Sequence, residues 1–187
     1  TPVESRKPVF QKTLKTSIGC TGVGLHSGVR VAMKLHPAAP NTGVVFKRID
    51  LIGGGATIRA SWDRVADSRM CTVLADCNGI SVATVEHLMS AFYGMEIDNV
   101  IVELNGPEVP AMDGSAEPFI FLIECAGVME QDVPRRALRI LKQHSSTTGN
   151  RMVALSPWHE SLKVDFHIDF HASAIGRQTC SFIVDSN

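Results

Sequence analysis

Short strand-like runs separated by turn residues dominate the first two thirds of this sequence. Residues 29–35 and 97–104 alternate between two faces, and the second run is rich in Ile, Val and Leu. A period of two is typical of a half-buried strand. Two stretches, 84–94 and 119–126, have the spacing of apolar residues that favours a helix. Several strands with two helices predict a two-layer α+β sandwich domain within residues 1–127.

The rest of the chain has a different pattern. Residues 132–136 are polar and contain a proline, which predicts a linker. Beyond it, residues 137–141, 152–155 and 162–170 are predicted strands, and no helical pattern follows. Because a sheet needs a second layer to bury its apolar face, we expect a complete amino-terminal domain, 9–131, followed by a linker and an incomplete second α+β domain, 132–187.

Composition excludes several function classes. The net charge is −1, basic residues are scattered and aromatic residues are few, so no nucleic-acid footprint is expected. No apolar run approaches the roughly 20 residues needed to span a bilayer. Residues 1–7 are polar and lack the apolar core of a signal peptide. The five cysteines form no Cys-x-x-Cys pair, so reduced thiols and a cytosolic location are predicted.

Residues 84–88 (TVEHL) place a carboxylate beside an imidazole at the predicted start of a helix. Ser81 or Thr84 is the expected N-cap. The free N–H groups and the helix dipole there favour an anionic Glu86 and a neutral His87, the form of histidine that binds metal. Two interpretations stay open: ordinary capping beside a packed histidine, or a metal site whose other ligands are remote in sequence.

The last predicted strand carries a polar row on one face, which includes Asp169 and His171. Two ligands two residues apart on a strand have a possible spacing for metal binding. A solvent-facing strand edge produces the same pattern. The row therefore leaves both interpretations open.

Six segments together resemble the UDP-3-O-acyl-N-acetylglucosamine deacetylase family of lipid A biosynthesis in Gram-negative bacteria. They agree with that family in order and in spacing over nearly the whole chain. The segments are 21–28 (TGVGLHSG), 41–44 (NTGV), 84–88 (TVEHL), 97–100 (IDNV), 110–119 (PAMDGSAEPF) and 164–170 (VDFHIDF).

The resemblance implies a cytosolic zinc amidase that removes acetate from a UDP-linked acylated N-acetylglucosamine. It also implies two similar α+β domains with the active site between them. By position, His87 corresponds to a zinc ligand and Glu86 to the general base. These roles suit a neutral imidazole and a carboxylate held at a helix N-terminus.

The resemblance implies further substrate contacts. Met70 and Cys71 match a segment near the substrate passage, although Arg69 stands where the family usually has an apolar residue; plain packing is an equal alternative for both. His26 is placed near the acyl end of the substrate. Arg151 matches a basic residue for the UDP phosphates, which a guanidinium binds in bidentate fashion, but it is also explained as a solvated turn residue.

Two residues of the predicted second domain, Asp169 and Phe170, resemble substrate-facing residues. The remaining zinc ligands of the family lie in a later His-Lys-x-x-x-Asp segment, and this sequence stops at Asn187 before one. Since catalytic zinc needs about three protein ligands, we expect the chain alone to bind zinc weakly and to turn over little substrate.

Three hypotheses fit these observations. The first is that the chain is the amino-terminal part of a deacetylase, and its partner is the missing carboxy-terminal portion of the same protein. The second is a short non-catalytic homologue that acts as a ligand-binding or regulatory module. The third is a chain whose zinc site is completed by another polypeptide.

Overall fold

A computed structural model describes residues 8–53, 55–159 and 161–184 of the chain. The polar segment 1–7, on which the signal-peptide argument depends, lies outside these residues. The described residues fall into two compact units that meet in sequence between Arg135 and Arg136. The first unit is a mixture of sheets and helices, which confirms the predicted α+β class.

The described part of the first unit contains ten strands, two α-helices and one short 3-10 helix. The strands are β1 (Phe10–Leu14), β2 (Ile18–Val23), β3 (Arg30–Pro37), β4 (Val44–Arg48), β5 (Ala56–Arg59), β6 (Val65–Asp67), β7 (Val73–Ala75), β8 (Ser81–Val82), β9 (Val100–Leu104) and β10 (Val128–Pro134), and the helices are Trp62–Arg64 (3-10), α1 (Glu86–Gly94) and α2 (Glu117–Ala126).

The principal sheet has the order β2-β3-β9-β4-β5. Its neighbours are antiparallel except β4 and β9, which run parallel and therefore need a long crossover that includes α1. Strand β3 alternates exposed and buried residues along its length, as its sequence predicts. One face of this sheet is therefore available to bury apolar side chains.

The core forms between this sheet and the helix pair. Phe46 of β4, Phe92 of α1 and Phe119 of α2 are almost completely buried in one apolar cluster. Each such side chain contributes about 1.5–3 kcal/mol relative to an exposed position. Helices α1 and α2 contact each other. The site described below lies at the N-terminus of α1, so this core fixes its position.

A buried polar network around Asn99 ties together segments that are distant in sequence. Its side chain accepts a hydrogen bond from the Gly43 N–H (2.9 Å) and donates to Gln11 Oε1 (2.8 Å) and Gln131 Oε1 (2.7 Å). Gln11 in turn donates to Asn41 Oδ1 (3.0 Å). Two of the six family-like segments, 41–44 and 97–100, therefore meet for a structural reason.

The second unit consists, in its described part, of two antiparallel hairpins. They are β11 (His144–Thr148) with β12 (Arg151–Leu155), and β13 (Leu162–Asp169) with β14 (Arg177–Val184). Apolar side chains of this unit stay open to solvent: Phe166 is 56% exposed and Phe182 is 48% exposed. Among the described residues, the buried apolar core cluster includes no side chain of this unit.

Three sequence-based assignments need correction. The supposed linker 132–136 is partly a strand, because β10 runs to Pro134 and pairs with β1. Residues 137–141 do not form the predicted strand, since no segment that the structure describes pairs with them. Strands β11 and β14 were not anticipated; each forms because it pairs over its whole length with its hairpin neighbour, β12 or β13.

No helix among the described residues has both the length and the apolar character that crossing a membrane requires.

Candidate functional site

Helix α1 begins directly at the carboxylate and imidazole pair. Its first residue is Glu86, and no side chain caps it. The prediction that Ser81 or Thr84 caps the helix is wrong. Ser81 lies in β8, and the Thr84 hydroxyl donates to Glu108 Oε1 at 2.8 Å instead of accepting from a helix N–H. Thr84 adopts a left-handed conformation with φ of 58°. No side-chain cap therefore competes with Glu86 for the N–H groups at the start of α1.

The Glu86 carboxylate is held by the backbone. Its Oε2 atom accepts a hydrogen bond from the Thr72 N–H at 2.9 Å, and the side chain is half-buried. Its place in the first helical turn adds the favourable field of the helix dipole. An anionic carboxylate with one fixed oxygen keeps its second oxygen available as a proton acceptor.

The His87 side chain lines a cavity of about 260 Å³. The other lining residues come from the turn after β2, from Thr84 and from the loop before α2: Leu25, Thr84, Ala111, Met112, Asp113 and Gly114. His87 is half-buried and is reachable from the cavity. This is the environment in which a histidine nitrogen can bind a metal or a substrate.

Asp113 is a cavity residue to which the sequence analysis gave no role. Hydrogen bonds from the Ser115 N–H (2.9 Å) and hydroxyl (2.8 Å) lower the pKa of Asp113, and the nearby charge of His87 lowers it further. The available signal was the segment 110–119, which contributed to the family resemblance without an assigned function. An ionised Asp113 adds negative potential beside His87.

Glu108 is the second residue that the sequence analysis missed. Its side chain is buried, with 1% of the residue exposed, and accepts from the His26 N–H (3.0 Å), the Ser27 N–H (2.9 Å) and the Thr84 hydroxyl. Burial alone would raise its pKa, but these hydrogen bonds outweigh it and lower the pKa of Glu108 to about 2. A charged carboxylate is therefore buried next to Thr84, which lines the cavity.

The predicted substrate residues of the first unit lie close to this site in different ways. Met70 is 82% exposed, and Cys71 is half-buried next to Thr72, whose N–H binds Glu86. His26 is exposed, and its backbone N–H rather than its ring contacts Glu108. Residues 70–72 thus adjoin Glu86, whereas His26 adjoins Glu108 and the cavity residue Leu25.

The predicted residues of the second unit are all exposed. Arg151 begins β12 at the tight turn opposite Thr148. Asp169 ends β13 opposite Arg177, and Phe170 follows in the turn, where its N–H donates to the Gly176 carbonyl at 3.0 Å. Across the described residues, no three His, Cys, Asp or Glu side chains form a cluster able to hold a metal.

Comparison with known proteins gives a consistent result. The profile of the LpxC family, described as UDP-3-O-acyl N-acetylglycosamine deacetylase, matches residues 11–187. The UDP-3-O-acyl-N-acetylglucosamine deacetylase of Acidithiobacillus ferrooxidans is 54% identical over 162 residues, which cover 87% of this chain and 52% of that relative. The protein of the same name from Pseudoalteromonas atlantica is 43% identical over 177 residues, 95% of this chain and 58% of the relative.

Fold and site together define an α+β protein with a carboxylate and imidazole pair at a helix start beside a cavity. The chain belongs to the LpxC deacetylase family. It spans about half the length of the curated relatives it matches.

Proposed function

We propose that this chain is the amino-terminal part of a zinc-dependent deacetylase that removes acetate from UDP-3-O-acyl-N-acetylglucosamine in lipid A biosynthesis. The names of its relatives support the reaction and the substrate. The observation that carries the proposal is the placement of Glu86 and His87 in the first turn of α1, with the His87 ring on the cavity. The cytosolic location and the Gram-negative source stay predictions.

The donor chemistry of the site fits zinc in part. His87 is half-buried and opens onto the cavity, which suits one ligand. A catalytic zinc needs about three protein ligands, and the described residues bring no such cluster together. We therefore propose His87 as the one zinc ligand among the described residues. The chain alone is expected to bind zinc weakly.

When bound, zinc supplies a Lewis acid that polarises the acetamide carbonyl and acidifies water. Glu86 accepts the proton of the attacking water, because its carboxylate is fixed by the Thr72 N–H and stabilised as an anion by the helix N-terminus. His87 would offer a ring nitrogen as the ligand, because a neutral imidazole is the form of histidine that binds metal. The two adjacent residues thus divide the work between base and ligand.

Substrate contacts are proposed from family position. Met70 and Cys71 adjoin the segment that holds Glu86, and His26 lies in the turn that carries the cavity residue Leu25. These three residues are proposed to contact the acyl chain. In the second unit, exposed Arg151 is proposed to bind the diphosphate, and Asp169 and Phe170 to face the sugar nucleotide.

The proposal is tested with the full product of the reading frame that encodes this chain. Glu86→Gln keeps the shape of the side chain and removes the base, so kcat for acetate release is expected to fall by about 100-fold or more. Glu117→Gln is the matched control, because Glu117 is an exposed glutamate in the first turn of α2. Equal activity of the Glu86→Gln variant and the wild type would refute the assignment.

The absence of a three-ligand cluster among the described residues also favours a second candidate, a short homologue that binds the sugar nucleotide without hydrolysing it. Calorimetry with UDP-3-O-acyl-N-acetylglucosamine separates the two. Binding without acetate release by the full reading-frame product supports the binding module. If no binding is seen at millimolar ligand, the binding-module hypothesis is excluded. If another polypeptide completes the zinc site, activity is expected only in the complex of the two polypeptides.

A further inference from the structure

Glu108 lies where three separate segments of the first unit meet. It follows β9, and its neighbours pair with the segment before α1: the Val109 N–H donates to the Ala83 carbonyl (3.0 Å), and the Ala83 N–H donates to the Pro107 carbonyl (2.9 Å). Its side chain reaches the turn 24–28, which is 81 and 82 residues away at its contact points. A single carboxylate therefore joins the 107–109 segment, the turn and the start of α1.

The contacts use both oxygens of the carboxylate. Oε1 accepts from the Thr84 hydroxyl (2.8 Å) and the His26 N–H (3.0 Å), and Oε2 accepts from the Ser27 N–H (2.9 Å). Hydrogen bonds to a buried ionised group are about twice as strong as neutral ones. The turn approaches the carboxylate closely at Gly24, where an added Cβ would lie 2.4 Å from Glu108 Oε2.

Thr84 is the strained member of this arrangement. It has a φ of 58°, a conformation that a β-branched residue adopts only when its surroundings impose it. Thr84 is buried, with 3% of the residue exposed, and its hydroxyl donates to Glu108. Thr84 stands two positions before Glu86, so its backbone sets where α1 begins.

We propose that Glu108 is a positioning residue for the Glu86 and His87 pair. It holds Thr84 in its strained conformation and fixes the turn that carries Leu25, so that both walls of the His87 cavity keep their places. Glu108 itself does not line this cavity and acts through Thr84 and the turn. The inference rests on the proposed deacetylase function.

The test uses Glu108→Gln, which keeps the size of the side chain but replaces one acceptor oxygen by an N–H₂ donor facing backbone or hydroxyl donors. In the 187-residue chain, the backbone amides of His26 and Ser27 are expected to exchange hydrogen at least about 10-fold faster in this variant than in the wild type. In the full reading-frame product, kcat for acetate release is expected to fall about 10-fold or more, because small displacements of catalytic groups are costly.

Glu103→Gln is the matched control. Glu103 is a half-buried glutamate of β9 whose carboxylate contacts His36 Nε2 (2.9 Å) and no part of the cavity. This variant is expected to leave kcat and the His26 and Ser27 exchange rates unchanged. Thr84→Val provides a second variant that keeps the branched shape and removes only the hydroxyl, and it is expected to lower kcat in the same direction.

The outcomes separate the two proposals. Faster exchange and lower kcat in Glu108→Gln at temperatures where the variant is fully folded support positioning. If Glu108→Gln is less stable but keeps the wild-type kcat when folded, the positioning role is overturned. If Glu108→Gln fails to fold, a wild-type kcat in Thr84→Val overturns it instead. If Glu86→Gln is also fully active, the deacetylase assignment fails, whereas the exchange rates still report on the Glu108 contacts.

Discussion

Replacing Asn99 by alanine tests the polar network that ties the first unit together. Asn99 is 1% exposed, and its side chain makes three hydrogen bonds. Alanine leaves the Gly43 N–H and Gln131 Oε1 without these partners, while Gln11 Oε1 keeps the Asn41 N–H (2.9 Å). At about 1–3 kcal/mol for each of these two groups left unsatisfied, the free energy of unfolding should fall by about 2–6 kcal/mol.

Urea unfolding followed by circular dichroism at 222 nm measures this loss, because α1 and α2 both belong to the first unit. Asn105→Ala is the control: Asn105 is exposed and accepts one hydrogen bond, from the Ala32 N–H at 2.7 Å. It should cost no more than about 1 kcal/mol. Equal losses in the two variants would refute the argument that buried, multiply bonded amides hold the motif segments together.

Three more variants probe other parts of the unit. Arg135→Leu removes ion pairs with Asp98 (2.8 Å) and Glu96, all less than one third exposed, and should lower the free energy of unfolding by about 1–3 kcal/mol in urea titration. Gly24→Ala should lower the free energy of unfolding by about 1–3 kcal/mol, because the added Cβ overpacks against Glu108. Its control is Gly94→Ala, whose Cβ meets open space and which should be neutral or slightly stabilising. Thermal unfolding scans of both variants measure the difference. The pKa of Glu108 is depressed from 4.5 to about 2, so its charge stabilises the fold fully above pH 4.5 and progressively less as the pH falls toward 2. The stability difference between wild type and Glu108→Gln should therefore shrink over that range, and a constant difference would contradict the assignment.

The local pattern of the sequence was sufficient for elements whose own residues specify them. Strand β3 alternates in sequence and in burial, and α1 has its apolar residues at helical spacing. The end of strand β10 was assigned to a linker because residues 132–136 are polar and contain a proline; its strand conformation comes from pairing with β1, far away in sequence. Residues 137–141 show the converse, a run rich in apolar residues that pairs with no other described segment.

The positions of the candidate site residues were likewise predictable only where local sequence determines them. Glu86 and His87 are adjacent in sequence, so a helix N-terminus was enough to bring them together. Thr84 was assigned a capping role from its residue type, but its hydroxyl contacts Glu108, 24 residues further along the chain. Glu108 and Asp113 could not be recognised from local sequence, because their importance depends on tertiary neighbours.

Zinc-dependent acetate release is the measurement that tests the central claim most directly. The full product of the reading frame that encodes this chain is incubated with UDP-3-O-acyl-N-acetylglucosamine, then treated with a chelator and resupplied with zinc. We expect release of one acetate per deacetylated sugar nucleotide, loss of activity after chelation and recovery with zinc. Absence of acetate release in the presence of zinc, or release that is indifferent to chelation, would contradict the assignment of Glu86 and His87 to a zinc deacetylase site.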